Sequence, residues 1–131
     1  MVELRGPSVY NGQIESTIMT DARIVLTTID NPDAARALAH ALVERRLAAC
    51  VSIVERVHSV YRWQDAVETA DEWLLLIKTV AGHVEALEAA LRELHPYQIP
   101  EFVVLPIETS TPEYLRWILA NTSPSMAGEE T

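Results

Sequence analysis

One thiol and four imidazoles are the groups in this sequence best suited to a soft or borderline cation. Cys50 is a soft ligand as its thiolate, and His95 offers an imidazole nitrogen, so copper is the divalent metal this pair would favour. Each residue also has a plainer reading. Cys50 opens an apolar segment, where a cysteine commonly serves as a small buried hydrophobe. His95 precedes Pro96 at a helix C-terminus, where the helix dipole favours a protonated imidazole. Lys78 follows Leu74-Leu75-Leu76-Ile77, so its ammonium either enters a cleft to hold an anion or snorkels at a strand end. Glu68, Asp71 and Glu72 either gather a hard cation or form a solvated face. No Cys-x-x-Cys and no His-x-x-x-His occurs, so a closed zinc site within one chain is not expected. No nucleophile–base pair is visible, which argues against catalysis.

The elements that must position these residues alternate clearly. Arg23–Thr28 is a β-branched strand. Asn31-Pro32-Asp33 is a helix start: a cap, a proline at the first position and an acid at the positive end of the dipole. Ala35, Leu38, Ala39 and Leu42 follow at helical spacing, and the helix is expected to finish near Arg46. Cys50–Trp63 reads as one long strand, with Val51, Ile53, Val57, Tyr61 and Trp63 sharing one parity. Gln64-Asp65-Ala66 is the turn, and the returning strand begins near Glu68 and runs to Thr79. Val84, Leu87, Leu91 and Leu94 mark a second helix that Pro96 stops. Phe102–Ile107 is a fourth strand, and Thr111-Pro112-Glu113 starts a short third helix carrying Tyr114, Leu115, Trp117 and Ile118.

The order βαββαβ plus a terminal helix is the split-βαβ, ferredoxin-like arrangement, an α+β fold with two helices on one face of an antiparallel sheet. A second strand of about 14 residues extends roughly 46 Å at ~3.3 Å per residue, against about 20 Å for the first and fourth. The central hairpin must therefore overhang the sheet. Its apolar overhang leaves unpaired edges and exposed Tyr61 and Trp63 unless another chain covers it, and a second copy is the simplest cover. Residues 1–21 read as an N-terminal extension, expected to be disordered; residues 22–120 are the domain; residues 121–131 read as a disordered tail.

Composition narrows the partners. The 131 residues fit one domain, and a net charge of −9 repels phosphate backbones, so nucleic acid is not expected. No apolar run approaches the roughly 18–20 residues that cross a bilayer, and the first residues lack a basic start followed by an apolar stretch, so neither a membrane partner nor a secretory signal is expected. A single cysteine cannot form an internal disulfide, which fits a reducing cytoplasm. Between Ala22 and Ala120 the only glycine is Gly82, which excludes a P-loop or a Gly-x-Gly-x-x-Gly turn. Small copper chaperones of this fold carry two cysteines after the first strand, where this chain has Thr27-Thr28-Ile29-Asp30-Asn31. RNA-recognition modules put stacking aromatics on the central strands and have basic surfaces, whereas here Trp73 sits in an otherwise aliphatic strand and the chain is acidic.

Five blocks in order carry a family resemblance: Leu47-Ala48-Ala49-Cys50; Ser59-Val60-Tyr61-Arg62-Trp63; Glu72 with Leu74 to Thr79; Leu94-His95-Pro96-Tyr97 followed by Ile99-Pro100-Glu101; and Tyr114 with Trp117. Over residues 22–120 the chain resembles the CutA divalent-cation-tolerance proteins. That resemblance implies a compact homotrimer with interlocking hairpins and a non-enzymatic cytoplasmic role in tolerance of copper and other divalent metals. It also implies similarity in shape to the PII signalling trimers, whose ligands sit between subunits. The alternative reading is thus a small-molecule sensor or an enzyme with intersubunit clefts, drawing on Tyr61, Trp63, Lys78, Tyr97, Trp117 and His95. One departure stands out: the family usually has glycine near position 65, where this chain has Asp65 and Ala66. Asp tolerates a left-handed backbone better than most residues, so the hairpin is expected to survive.

Overall fold

The computed structural model describes residues 20–122 and two short strands before them, β1 (Val9–Tyr10) and β2 (Gln13–Ile14), which pair antiparallel. The remaining expectations for residues 1–19 and 123–131 lie outside the described residues. Then follow β3 (Ala22–Ile29), α1 (Pro32–Glu44), β4 (Cys50–Trp63), β5 (Ala66–Val80), a 3-10 turn (Ala81–His83), α2 (Val84–Leu94), β6 (Val103–Pro106) and α3 (Pro112–Thr122). Strands β3 to β6 form one antiparallel sheet in the order β4-β5-β3-β6, the expected ferredoxin-like topology.

Local chemistry sets the boundaries. The Asn31 side chain accepts the Ala34 N–H at 2.9 Å, with Pro32 and Asp33 in the first turn of α1. That helix stops at Glu44, and Arg46 turns left-handed at φ 62° just beyond it. His95 leaves α2 for an extended conformation because the following proline disfavours helix there. α3 continues through Thr122, so Asn121 is helical and its amide donates to the Trp117 carbonyl at 2.8 Å. β6 is shorter than expected, with Phe102 and Ile107 outside it.

The core lies between the sheet and helices α1 and α2. Val25 and Ile29 of β3, Leu75 and Ile77 of β5, Leu38 and Leu42 of α1, and Leu87 and Leu91 of α2 are fully or almost fully buried together. α3 packs Ile118 against Ala22 and Ala49, with Val80 and Leu115 around them, at one end of the opposite face. The rest of that face is apolar and open: Val54, Val103 and Leu105 are exposed, with Leu26, Leu74 and Leu76 half-buried beside them.

The hairpin overhangs as expected. β3 pairs with β5 only as far as Ile29 opposite Trp73. Beyond it Val57–Trp63 and Ala66–Glu72 pair with each other alone, for roughly 23 Å at ~3.3 Å per residue. Gln64 and Asp65 both take positive φ, 51° and 68°, so the turn is of the two-residue primed kind, and Asp65 indeed substitutes for glycine.

The single-parity reading of β4 is overturned by a β-bulge. Val54 opposes Leu74 and Val57 opposes Glu72, so Glu55 and Arg56 together oppose Trp73, and Arg56 is left-handed at φ 62°. The extra residue reverses the alternation. Val51 and Ile53 pack on the helix-covered core. Val57, Tyr61 and Trp63 instead share the face of Cys50, Ser52 and Val54.

Candidate functional site

Polar groups gather at the root of the hairpin, where β5 leaves the sheet and the segment after α2 crosses the end of β3. His95 is buried, with 6% of its surface exposed. Its Nδ1 accepts the Tyr97 backbone N–H at 3.1 Å, so Nε2 carries the ring proton and donates it to the Thr28 carbonyl at 2.8 Å. Burial pushes the imidazole below its usual titration range, against the opposing pull of the Thr28 carbonyl, Asp30 and Glu72. The Tyr97 ring meets His95 edge to face at 4.7 Å between centroids. The Tyr97 hydroxyl donates to Glu72 Oε2 at 2.6 Å, and Glu72 is itself 7% exposed. Burial, then the bond to Glu72, raises the phenol far above its ordinary value. Burial, then the charge of Glu72, raises the Glu101 carboxyl as well. The result is a hydrogen-bonded cluster of His95, Tyr97 and Glu72 at the hairpin root, with Tyr61 close enough to bear on the Tyr97 phenol.

A second group lies at the far end of the same strand pair. Cys50 of β4 stands directly opposite Lys78 of β5. Lys78 Nζ donates to Ser52 Oγ at 2.7 Å and lies 3.7 Å from Cys50 Sγ. Tyr114 of α3 is near enough that a charge on Cys50 raises its phenol, after the larger effect of burial. Tyr114 stacks on Trp117 at 5.7 Å between centroids, and both rings are exposed.

The residues expected to share a cleft therefore divide within one protomer. His95, Tyr97 and Tyr61 belong to the hairpin root, with Trp63 beyond them at the tip. Lys78, Cys50 and Trp117 belong to the other end, because Lys78 is about 20 Å from Glu72 along an extended strand. Both nitrogens of His95 are engaged, so binding a metal there would require breaking a bond to Tyr97 or Thr28. The acidic run does not converge. Glu72 meets Tyr97, while Asp71 faces the other way and accepts from His58 at 3.0 Å. That bond to His58 holds the Asp71 carboxyl below its usual range. Among the described residues no group of three or more His, Cys, Asp and Glu side chains is arranged to hold a metal ion. Sequence reasoning passed over Ser52, although residues two apart on a strand share a face and Ser52 stands two from Cys50. It also passed over the pairing of Tyr97 with Glu72, for which local spacing carries no signal.

Sheet order, overhanging hairpin and paired helices define a ferredoxin-like α+β protein whose polar side chains gather midway along one long strand pair and at its sheet end. Comparison with known proteins resolves the class further. The family described as CutA1 divalent ion tolerance protein matches residues 23–121. The divalent-cation tolerance protein CutA of Thermus thermophilus is 48% identical over 99 residues, covering 76% of this chain and 96% of that one. Protein CutA of Mus musculus is 41% identical over 91 residues, covering 70% of this chain and 51% of that protein, so the chain spans about half of that relative. The crystal structure of CutA from Xylella fastidiosa superposes with a TM-score of 0.78 at 39% identity, covering 79% of this chain and 100% of that one. The chain belongs to the CutA1 divalent ion tolerance family. Among the described residues no helix is long and apolar enough to cross a membrane.

Proposed function

We propose that the chain works as a non-enzymatic homotrimer in the cytoplasm, in tolerance of or response to divalent metal ions. The observation that carries the assembly is the bare hairpin: Val60 and Val67 are 62% and 63% exposed, and Tyr61 and Trp63 are 43% and 38% exposed, on a strand pair that no third strand supports. The open apolar face of the sheet adds to the surface that copies of the chain would cover. The unpaired cysteine supports the reducing compartment.

The donor set of one protomer does not make a closed copper site. Cys50 has an ammonium beside its sulfur, and His95 has no free ring nitrogen. Copper binding is therefore proposed through Cys50 thiolates brought together by threefold repetition, with His95 a weaker contributor. Copper titration calorimetry on the wild type, Cys50→Ala and His95→Ala tests this: Cys50→Ala should lose the binding heat, and equal binding in all three proteins rejects the site. A second reading, a small-molecule sensor or enzyme with intersubunit clefts, is favoured by the buried His95–Tyr97–Glu72 cluster at the root of the hairpin that a neighbouring copy would cover.

Assembly is tested by sedimentation at several dilutions. Trp63 lies at the tip, where its own protomer cannot bury it, whereas Trp73 packs on the core. Truncating a buried aromatic costs about 3–5 kcal/mol, so Trp63→Ala should dissociate on dilution while Trp73→Ala should melt earlier but stay trimeric. A monomeric wild type rejects the proposal.

A further inference from the structure

Cys50 is the only cysteine of the sequence and Lys78 the only lysine, since every other cationic side chain of the Lys/Arg kind is arginine. The fold sets these two unique residues directly opposite each other on adjacent strands, with sulfur and amine nitrogen 3.7 Å apart. Among the described residues, the polar partners of Lys78 are Ser52 and Cys50, and no carboxylate pairs with it. An arginine there would supply the charge equally well, but only the amine can act as a nucleophile once deprotonated.

We propose that Cys50 and Lys78 form an oxidation-dependent covalent cross-link, with a peroxide as the co-substrate. In the first step the sulfur attacks the peroxide O–O bond and takes one oxygen as a sulfenic acid. The peroxide is reduced by two electrons and its other oxygen leaves as water. In the second step the Lys78 amine, having released a proton to solvent, attacks that sulfur. The S–N bond forms, the S–O bond breaks, and the hydroxyl leaves as a second water with the remaining proton. The protein loses two hydrogen atoms for each peroxide consumed, and the product is a sulfenamide. The geometry suits the second step. The 3.7 Å separation is close to the roughly 3–3.5 Å of a near-attack arrangement. Ser52 Oγ already orients the amine at 2.7 Å, and strands already in register need no backbone movement. Cys50 is partly exposed, which leaves room for a molecule as small as hydrogen peroxide. The cross-link removes both a positive charge and the thiol from the end of the sheet under α3, and it competes with copper for the same sulfur.

The test is intact-mass and peptide mapping of the reduced full chain after treatment with hydrogen peroxide. The expected product is lighter by two hydrogen atoms, joins the Cys50 peptide to the Lys78 peptide, resists trypsin at Lys78 and returns to the starting mass with a thiol reductant. With one cysteine and one lysine the assignment is unambiguous in the wild type, whether or not a variant folds. Lys78→Arg, checked for folding by circular dichroism, should give no such product and should instead accumulate sulfinic and sulfonic acid at Cys50. Two results overturn the proposal. One is a wild type that goes directly to those acids or to an intermolecular disulfide, with Lys78 still cleaved. The other is a two-hydrogen loss that persists in Lys78→Arg, which would place the new bond on a backbone nitrogen.

Discussion

Tyr97 donates its hydroxyl to Glu72 at 2.6 Å across a sequence separation of 25 residues, and this bond ties the segment after α2 to the strand on which the hairpin leaves the sheet. Glu72 is 7% exposed, so the phenol is the group that compensates a carboxylate removed from water. Tyr97→Phe keeps the ring on His95 but deletes the donor. A lost hydrogen bond to a charged buried group costs about 1.5–3 kcal/mol, so the urea midpoint should fall by that equivalent. Glu72→Gln in the same background should recover part of the loss, because the buried group left behind is then neutral.

Acid should loosen the same region through His95. The native imidazole titrates below its ordinary value, chiefly because it is buried. Its contribution is therefore fully present above about pH 6.5, the value of a free histidine, and is lost as pH falls through the depressed native value. Glu101 works in the opposite sense: its raised native value favours folding only toward the acid side of the carboxylate range. Urea midpoints measured at fixed protein concentration between about pH 7.5 and 5.5 isolate the histidine. The wild type should weaken across that interval, and His95→Gln should be less stable at the top of it but flatter.

Thr27 is wholly buried on β3 between Val25 and Ile29, and its hydroxyl is the buried side-chain polar atom that finds no partner among the described residues. Thr27→Val keeps the β-branched shape and removes the stranded hydroxyl. The expected gain is about 1 kcal/mol, read as a higher urea midpoint with an unchanged slope.

The hairpin tip offers a gain of another kind. Gln64 and Asp65 hold φ of 51° and 68°, where a side chain crowds its own backbone. Replacing the pair with Asn-Gly, the residues this turn prefers, should stabilise the monomeric fold by about 1 kcal/mol. Thermal melts at fixed concentration measure it.

Much of this architecture was legible in the residues. Asn31-Pro32-Asp33 and Pro96 marked helix ends because caps and prolines act locally. The long β-branched run from Cys50 and the apolar return to Thr79 marked the overhang because strand length follows directly from chain length. The bulge was not legible. Glu55 looks like a polar interruption of a strand, and nothing in Glu55-Arg56 announces a left-handed residue. The site is half legible for a related reason: His95 and Tyr97 stand together in the sequence, but their partners Thr28 and Glu72 arrive from distant segments. Lys78 and His95 stand apart within one protomer because strand rise separates residues that a list of motifs sets side by side, so a cleft holding both would draw them from different copies.

The bulge also makes β4 tolerant of a change in length at one point. Val54 and Val57 already share a face, with two residues between them opposite the single Trp73. Removing either Glu55 or Arg56 would leave one residue opposite Trp73 and restore plain alternation, so Val57 to Trp63 would keep both their partners and their face. What a one-codon deletion there would change is the direction of the hairpin, because a bulge bends its strand and sharpens the local twist, while the same aromatic side chains stayed on the same side of the ribbon.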